Sequence, residues 1–234
     1  MHMSEPLKGS LVQLENLTEK DLPVLWDLIF NEDYPEWRKW DSPYLTLQPI
    51  EYEKFHDQML NFIKQELDKQ LLIKVSDNII GVLFYDWEHE SSNSLEIGIA
   101  IYHPTYRDDQ YVADGLITWM DFLFYIFPIP RIGLTTWSGN ERMIKIGKEL
   151  GMMEEGRIRK SRIYRGKYYD SIKLGILREE YENLTIKEKP SIHYGYLINL
   201  TKKLGSFYGS KLFINFSTPP LTQPLIKEKQ SNSI

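Results

Sequence analysis

Glu96-x-Gly98-x-Ala100 is a carboxylate followed, at strand spacing, by two minimal side chains. In an extended segment alternate residues share a face. Leu95, Ile97, Ile99 and Ile101 therefore line one side, apolar and suited to helix packing, and Glu96, Gly98 and Ala100 line the other. The second face leaves room for a ligand to lie against the backbone. A carboxylate in a partly dry cleft, its pKa raised by desolvation, can accept a proton. Glu88 and Glu90, at the end of the preceding apolar run, are alternatives for the same work. Further on, Ser138-x-x-Glu141 has the spacing of a capping box, so Ser138 and Asn140 have a role as helix starters beside any ligand contact.

Other groupings carry less chemistry. Tyr34, Trp37, Trp40 and Tyr44 stand beside Asp33, Glu36 and Asp41. Aromatic faces with carboxylates could hold a cationic amine, or the rings could simply pack in the core. The basic run Arg157, Arg159, Lys160, Arg162, Arg165 and Lys167 reads as a solvated strand face, with a grip on phosphate or an acidic substrate as the other reading. The chain has no cysteine, which excludes disulfides, thiolate metal sites and cysteine nucleophiles. Its five histidines show no ligand spacing, so no metal is expected. A formal net charge of −5 argues against a general nucleic-acid binder. No apolar run approaches the roughly 18–20 residues that cross a bilayer, and the first ten residues lack a signal-peptide core. The expectation is a soluble, cytoplasmic protein with no membrane partner.

The elements that must position these residues follow from periodicity. A short strand is expected at Val12–Leu14, a helix after Thr18 carrying Leu22, Leu25, Trp26 and Ile29, and a second helix over roughly Ile50–Leu67. A hairpin follows, Leu71–Val75 and Ile79–Trp87 about Ser76-Asp77-Asn78, and then the strand Leu95–Ile101. Arg107–Val112 reads as a loop leading into a helix that runs to about Phe127, where Pro128 and Pro130 stop it. Ile132–Thr136 is a strand, and Glu141–Leu150 a helix ended by Gly151. Met153–Tyr164 and Tyr168–Leu177 form a last hairpin about Arg165-Gly166-Lys167. The order β-α-α-β-β-β-α-β-α-β-β is mixed α/β (α+β). Residues 183–234 read as a C-terminal extension, at least partly disordered, whose end combines three prolines with a polar run.

This order and four local motifs resemble the GNAT superfamily of N-acetyltransferases, in its RimJ/RimL-like branch. The motifs are Leu95–Ile101 with Pro104-Thr105-Tyr106-Arg107; Thr135–Asn140 leading to Lys148-Glu149-Leu150-Gly151-Met152; Glu154–Arg159; and Gly166–Asp170 ahead of Leu177-Arg178-Glu179-Glu180-Tyr181. The resemblance covers residues 11–182. It implies a mixed central sheet, flanked by helices and splayed at an acetyl-CoA site, with the pantetheine arm pairing along Ile99, Ala100 and Ile101. It implies Glu96 as general base, directly or through a water, and Asn140 as a hydrogen-bond partner of the coenzyme arm. Arg107, Gln110, Tyr111, Val112 and Ala113 would hold the diphosphate. The acceptor would be a small-molecule or peptide amine, and a homodimer is compatible with the pattern.

The loop departs from the family form (Arg/Gln)-x-x-Gly-x-(Gly/Ala). Gln110 and Val112 stand at the glycine positions, and Asp108 and Asp109 precede them. A β-carbon where φ is positive costs on the order of 1 kcal/mol. Each aspartate about 6 Å from a phosphate adds repulsion of about 1 kcal/mol at an effective dielectric near 50. Asp108 or Asp109 is also a good helix N-cap, in the place an anion would take. The tyrosine that many family members use as general acid is Gly147 here. The alternative to an enzyme is therefore a non-catalytic GNAT fold whose coenzyme binding is weakened. A third reading gives the segment Ser191–Phe216 the main role, as an interface.

Overall fold

Alternation along the apolar runs assigns each strand face to one of two cores. In the computed structural model the described residues are 5–31, 36–41, 43–45, 48–65 and 69–184. β1 (Leu7–Lys8) and β2 (Gln13–Asn16) lead into α1 (Leu22–Phe30) and α2 (Tyr52–Gln65). β3 (Gln70–Val75), β4 (Asn78–His89) and β5 (Ser94–Ile101) are followed by α3 (Asp109–Ile126), β6 (Arg131–Trp137), α4 (Glu141–Glu149), β7 (Met153–Tyr164), β8 (Lys167–Leu177) and α5 (Arg178–Asn183). The sheet has eight strands in the order β1-β2-β3-β4-β5-β6-β8-β7. Every pairing is antiparallel except β5 with β6.

On β3 and β4, Leu71, Ile73, Leu83 and Tyr85 face one core, where Leu116, Trp119 and Met120 of α3 are fully buried. Leu72 and Val82 face the other, against Leu22 and Leu25 of α1 and Phe55 of α2. Burying such side chains contributes about 1.5–3 kcal/mol each, so both helix layers are anchored to the sheet. The expected split of β5 is observed: Leu95 and Ile97 lie in the first core and Ala100 in the second. A buried aspartate ties the N-terminal turn to α3, since Asp114 accepts from the amides of Ser10, Leu11 and Val12 at 2.7–2.9 Å. Gly9 is needed there, because a Cβ would stand 2.4 Å from Asp114 Oδ2.

Three expectations change. β1 is a further strand, paired with β2. Thr18 opens a short 3-10 turn, with Asp21 Oδ2 accepting its amide, before α1 begins. The third helix starts at Asp109, inside the stretch expected as a loop, because Asp108 Oδ1 accepts the Gln110 amide at 3.0 Å and caps it. Gly151 ends α4 with φ +87°, as a glycine past a helix end should. The segment Ser191–Phe216, Asp33 and Tyr34 lie outside the described residues.

Candidate active site

The parallel strands β5 and β6 pair only from Ser94 to Glu96 against Arg131 to Gly133. Beyond that they part, β5 staying on β4 and β6 on β8. The gap is a V-shaped cleft with its apex at Glu96. Two adjoining chambers fill it, of about 480 and 500 Å³ including their open mouths. Ile99, Asn140, Met143, Trp40 and Asp41 line both. The inner chamber adds Gly98, Thr135, Thr136 and Trp137. The outer adds Ala100, Ile101, Arg107, Val112 and Arg142.

At the apex, Glu96 accepts from Thr135 Oγ1 at 2.9 Å and from Lys173 Nζ at 3.1 Å. Gly133 makes space for its stem, since a Cβ there would be 3.2 Å from Glu96 Cγ. The carboxylate is held by an ammonium and a hydroxyl, neither of which the strand alternation shows. Lys173 also bonds Glu88, which receives Arg131 Nη1 at 3.0 Å and Ser94 Oγ at 3.2 Å. The hydrogen bond from Lys173, with Ser94 and the Arg131 charge adding, holds the Glu88 carboxyl below its usual range. The same bond to Glu88 raises the Lys173 ammonium. Glu88 is thus spent in ion pairs, and Glu90 is exposed in a 3-10 turn.

The floor is less open than the small residues imply. A Cβ on Gly98 would stand 2.1 Å from Phe84 Cζ, so the space freed by this glycine is filled by the Phe84 ring. Ala100 is 6% exposed and faces the second core with Trp37 and Tyr102. Burial, with Asp41 adding, pushes the Tyr102 hydroxyl up and keeps it neutral.

Asn140 caps α4: its Oδ1 accepts the Met143 amide at 3.0 Å. Its Nδ2 donates to the Trp40 carbonyl and ties the Glu36–Lys39 turn and Trp40 over the cleft. Ser138 does not cap this helix. Its hydroxyl accepts the Asp170 amide at 2.9 Å, which corrects the capping-box expectation: cross-strand bonding to β8 wins. Trp137 is ringed edge-on by Tyr44, Tyr164 and Tyr169 at 4.7–6.0 Å between centroids. Arg162 lies over Tyr44 at 5.3 Å, while Arg157, Arg159, Lys160, Arg165 and Lys167 are exposed.

Of the residues expected to hold a diphosphate, Arg107 and Val112 line the cleft. Gln110, Tyr111 and Ala113 do not line either chamber, and Tyr111 instead packs on Tyr106 at 5.4 Å. Gln110 and Val112 sit in α3 and are absent from the positive-φ residues, so the strain expected of them does not arise. Arg107 Nη1 meets Glu36 Oε2 at 2.6 Å, and Arg142 Nε meets Asp109 Oδ1. Arg142, Thr135, Gly133 and Lys173 are site residues that sequence reasoning missed. Each is an ordinary residue until its partner, 33 to 77 positions away, is known. Gly147 cannot take a side chain as it stands, because a Cβ would lie 2.6 Å from Leu174 Cδ1.

A mostly antiparallel open sheet, flanked by helices and parting at its one parallel pair, is the architecture of GNAT acetyltransferases. Residues 12–153 match the family model of the acetyltransferase (GNAT) domain, and the chain belongs to that family. The SPbeta prophage-derived uncharacterized N-acetyltransferase YokL of Bacillus subtilis (strain 168) is 24% identical over 142 residues, covering 58% of this chain and 79% of the relative. Spermidine N-acetyltransferase from Vibrio cholerae, solved with CoA and spermine, is 20% identical with a TM-score of 0.62 over 74% of this chain and 99% of that one. A GNAT-family acetyltransferase from Bacillus anthracis is 17% identical with a TM-score of 0.55 over 75% and 99%. At these identities the structural likeness speaks to fold. No helix among the described residues is long and apolar enough to cross a membrane.

Proposed function

We propose that this chain transfers an acetyl group from acetyl-CoA, its cosubstrate, to a primary amine by direct attack, with residues 11–182 as the transferase domain. The observation that carries this reading is the parting of β5 and β6 after three paired positions. It leaves the β6-facing backbone edge of Ile99, Ala100 and Ile101 without a neighbouring strand, so an extended pantetheine arm can add there as a strand would. Arg107 Nε and Arg142 Nη2, buried without hydrogen-bond partners beside the outer chamber, fit an anionic group at its mouth.

In the reaction, an ammonium acceptor gives a proton to Glu96, directly or through a water. Its nitrogen then bonds the thioester carbonyl carbon, the C–S bond breaks, and the proton that the nitrogen sheds as the amide forms goes to the departing thiolate, releasing CoA. Lys173 and Thr135 fix the Glu96 carboxylate. A thiolate leaves with little proton help, so a Gly147 in place of tyrosine does not forbid the step. Asn140 contacts the coenzyme arm once Trp40 yields its hydrogen bond. The acceptor is a protein N-terminus, as in the RimJ/RimL-like branch, a polyamine, as in the Vibrio cholerae relative, or another small amine. The setting is the cytoplasm, without metal, nucleic acid or membrane, and a homodimer is compatible.

A second reading, a non-catalytic binding fold, is favoured by one observation: Glu96 already carries an ion pair. Calorimetric titration with acetyl-CoA and an acetylation assay over a panel of amines separate the two. Binding with acetyl transfer supports the enzyme. Absence of binding at millimolar acetyl-CoA ends the coenzyme reading.

A further inference from the structure

The amides that the start of α3 would offer an anion are partly in use. Gln110 N–H donates to Asp108 Oδ1 at 3.0 Å, and Tyr111 N–H to Asp108 O at 3.3 Å. The donors left over belong to two arginines lining the outer chamber. Arg107 Nε and Arg142 Nη2 are buried with no hydrogen-bond partner, in side chains 16% and 21% exposed. A buried charged donor left unpaired is costly and seeks an acceptor.

Both guanidinium groups are meanwhile held by carboxylates of the chain itself. Arg107 Nη1 is held by Glu36 Oε2 at 2.6 Å, and Arg142 Nε by Asp109 Oδ1, with Lys145 Nζ 3.8 Å from the same aspartate. One carboxylate per arginine leaves a donor of each fork unmatched. A phosphate presents three oxygens and more charge, and so suits a guanidinium fork better. Asp109, which by sequence is a repulsive neighbour for phosphate, then has a different role.

We propose that Glu36 and Asp109 are internal counter-ions, and that the coenzyme's diphosphate enters by exchanging with them on Arg107 and Arg142. Arg142, from α4, supplies a phosphate contact in a chain whose loop lacks the family's glycines. This rests on the acetyl-CoA reading above, but the two fail separately.

The test is calorimetric titration of the full chain with CoA, with inorganic diphosphate, and with S-acetylpantetheine, which carries no phosphate. Asp109→Asn and Glu36→Gln should each bind CoA about 3- to 10-fold more tightly than the unmodified chain. Arg142→Gln should bind it at least about tenfold more weakly, with Arg142→Lys recovering part of the loss. Acetylpantetheine affinity should be the same in all of them, and thermal melts check that each variant is folded. CoA bound equally well by Arg142→Gln, or more weakly by Asp109→Asn, overturns the exchange and leaves the acetyl-CoA reading standing. Inorganic diphosphate bound through Arg142 with no binding of CoA ends the acetyl-CoA reading and the coenzyme's part in the exchange with it. If neither binds, both fall.

Discussion

The apex and the mouth of the cleft are both built from ion pairs, but of opposite kinds. At the apex, Lys173 bridges Glu88 and Glu96, Arg131 bridges Glu88 and Glu155, and Thr135 and Ser94 add hydroxyls. All five charged residues sit on strands of the sheet, Glu88 and Glu155 at the register shifts of β4 and β7. At the mouth, Arg107 and Arg142 each keep a buried N–H without an acceptor, and their carboxylate partners sit on a 3-10 turn and on the first residue of a helix. A saturated network fixes geometry; an unsaturated one is poised to bind. The first suits a group that must stay in place through a proton transfer, and the second a group that must admit and release a large anion.

Both ends of the cleft hang on one strand, β5. Gly81 of β4 tests that most harshly. A Cβ there would be 2.0 Å from the Ala100 carbonyl oxygen, and backbone cannot step aside. Gly81→Val should cost about 2–4 kcal/mol in urea denaturation and disable both ends together. A variant as stable as the parent would mean that β5 is not held where the cleft needs it.

Next in size is the apex itself. Glu96→Gln should lower turnover at least about tenfold, or about 1.4 kcal/mol of barrier, while the coenzyme's dissociation constant stays put. Equal loss of binding and turnover would instead assign Glu96 a packing role, and unchanged turnover across pH 6–9 would remove it from the mechanism.

The strand carrying Glu96 was legible because a two-residue period needs no knowledge of partners: Leu95 and Ile97 went to one core and Ala100 to the other as the alternation requires. The helix end at Gly151 was legible for the same local reason. What the alternation could not show is that Phe84, 14 positions earlier on the paired strand, fills the space over Gly98. Nor could it show that Lys173, 77 positions later, neutralises Glu96. The capping-box spacing at Ser138 misled for a related reason. A hydroxyl that is free to cap is equally free to accept the Asp170 amide, and only the fold decides which is nearer. The boundary of Arg107–Val112 is also decided by a local bond that spacing does not show, since the Asp108 cap starts the helix at Asp109. Local order was readable, and long-range pairing was not.

A smaller effect separates the two networks by pH. Glu88 has its carboxyl lowered by the Lys173 hydrogen bond, so it adds stability above the ordinary glutamate value of about 4.3 and loses it as pH falls through the lower folded value. Lys173, raised by the same bond, adds stability below about 10.4 and loses it only as pH climbs past its folded value. The pair therefore stabilises most between those limits. Both side chains are more than a third accessible or close to it, so screening keeps the gain below about 1 kcal/mol. Melting temperature should fall from about pH 4.5 to pH 3 more steeply in the parent than in Lys173→Met. Parallel curves would mean that the bridge contributes nothing.

The smallest expected change is also the most discriminating. Asp109→Asn removes a charge from the first turn of α3, which costs only a few tenths of a kcal/mol, and it frees Arg142 and Lys145 from a partner they share. Asp108 still caps the helix, so α3 keeps its start. The melting temperature of Asp109→Asn should therefore stay within about 2 °C of the parent, although the same change is expected to strengthen coenzyme binding. Lys173→Met, by contrast, leaves Glu88 and Glu96 facing each other without their common cation. If Asp109→Asn destabilised the fold as much as Lys173→Met does, the mouth pairs would be structural too, and the distinction between a saturated apex and a waiting mouth would be lost.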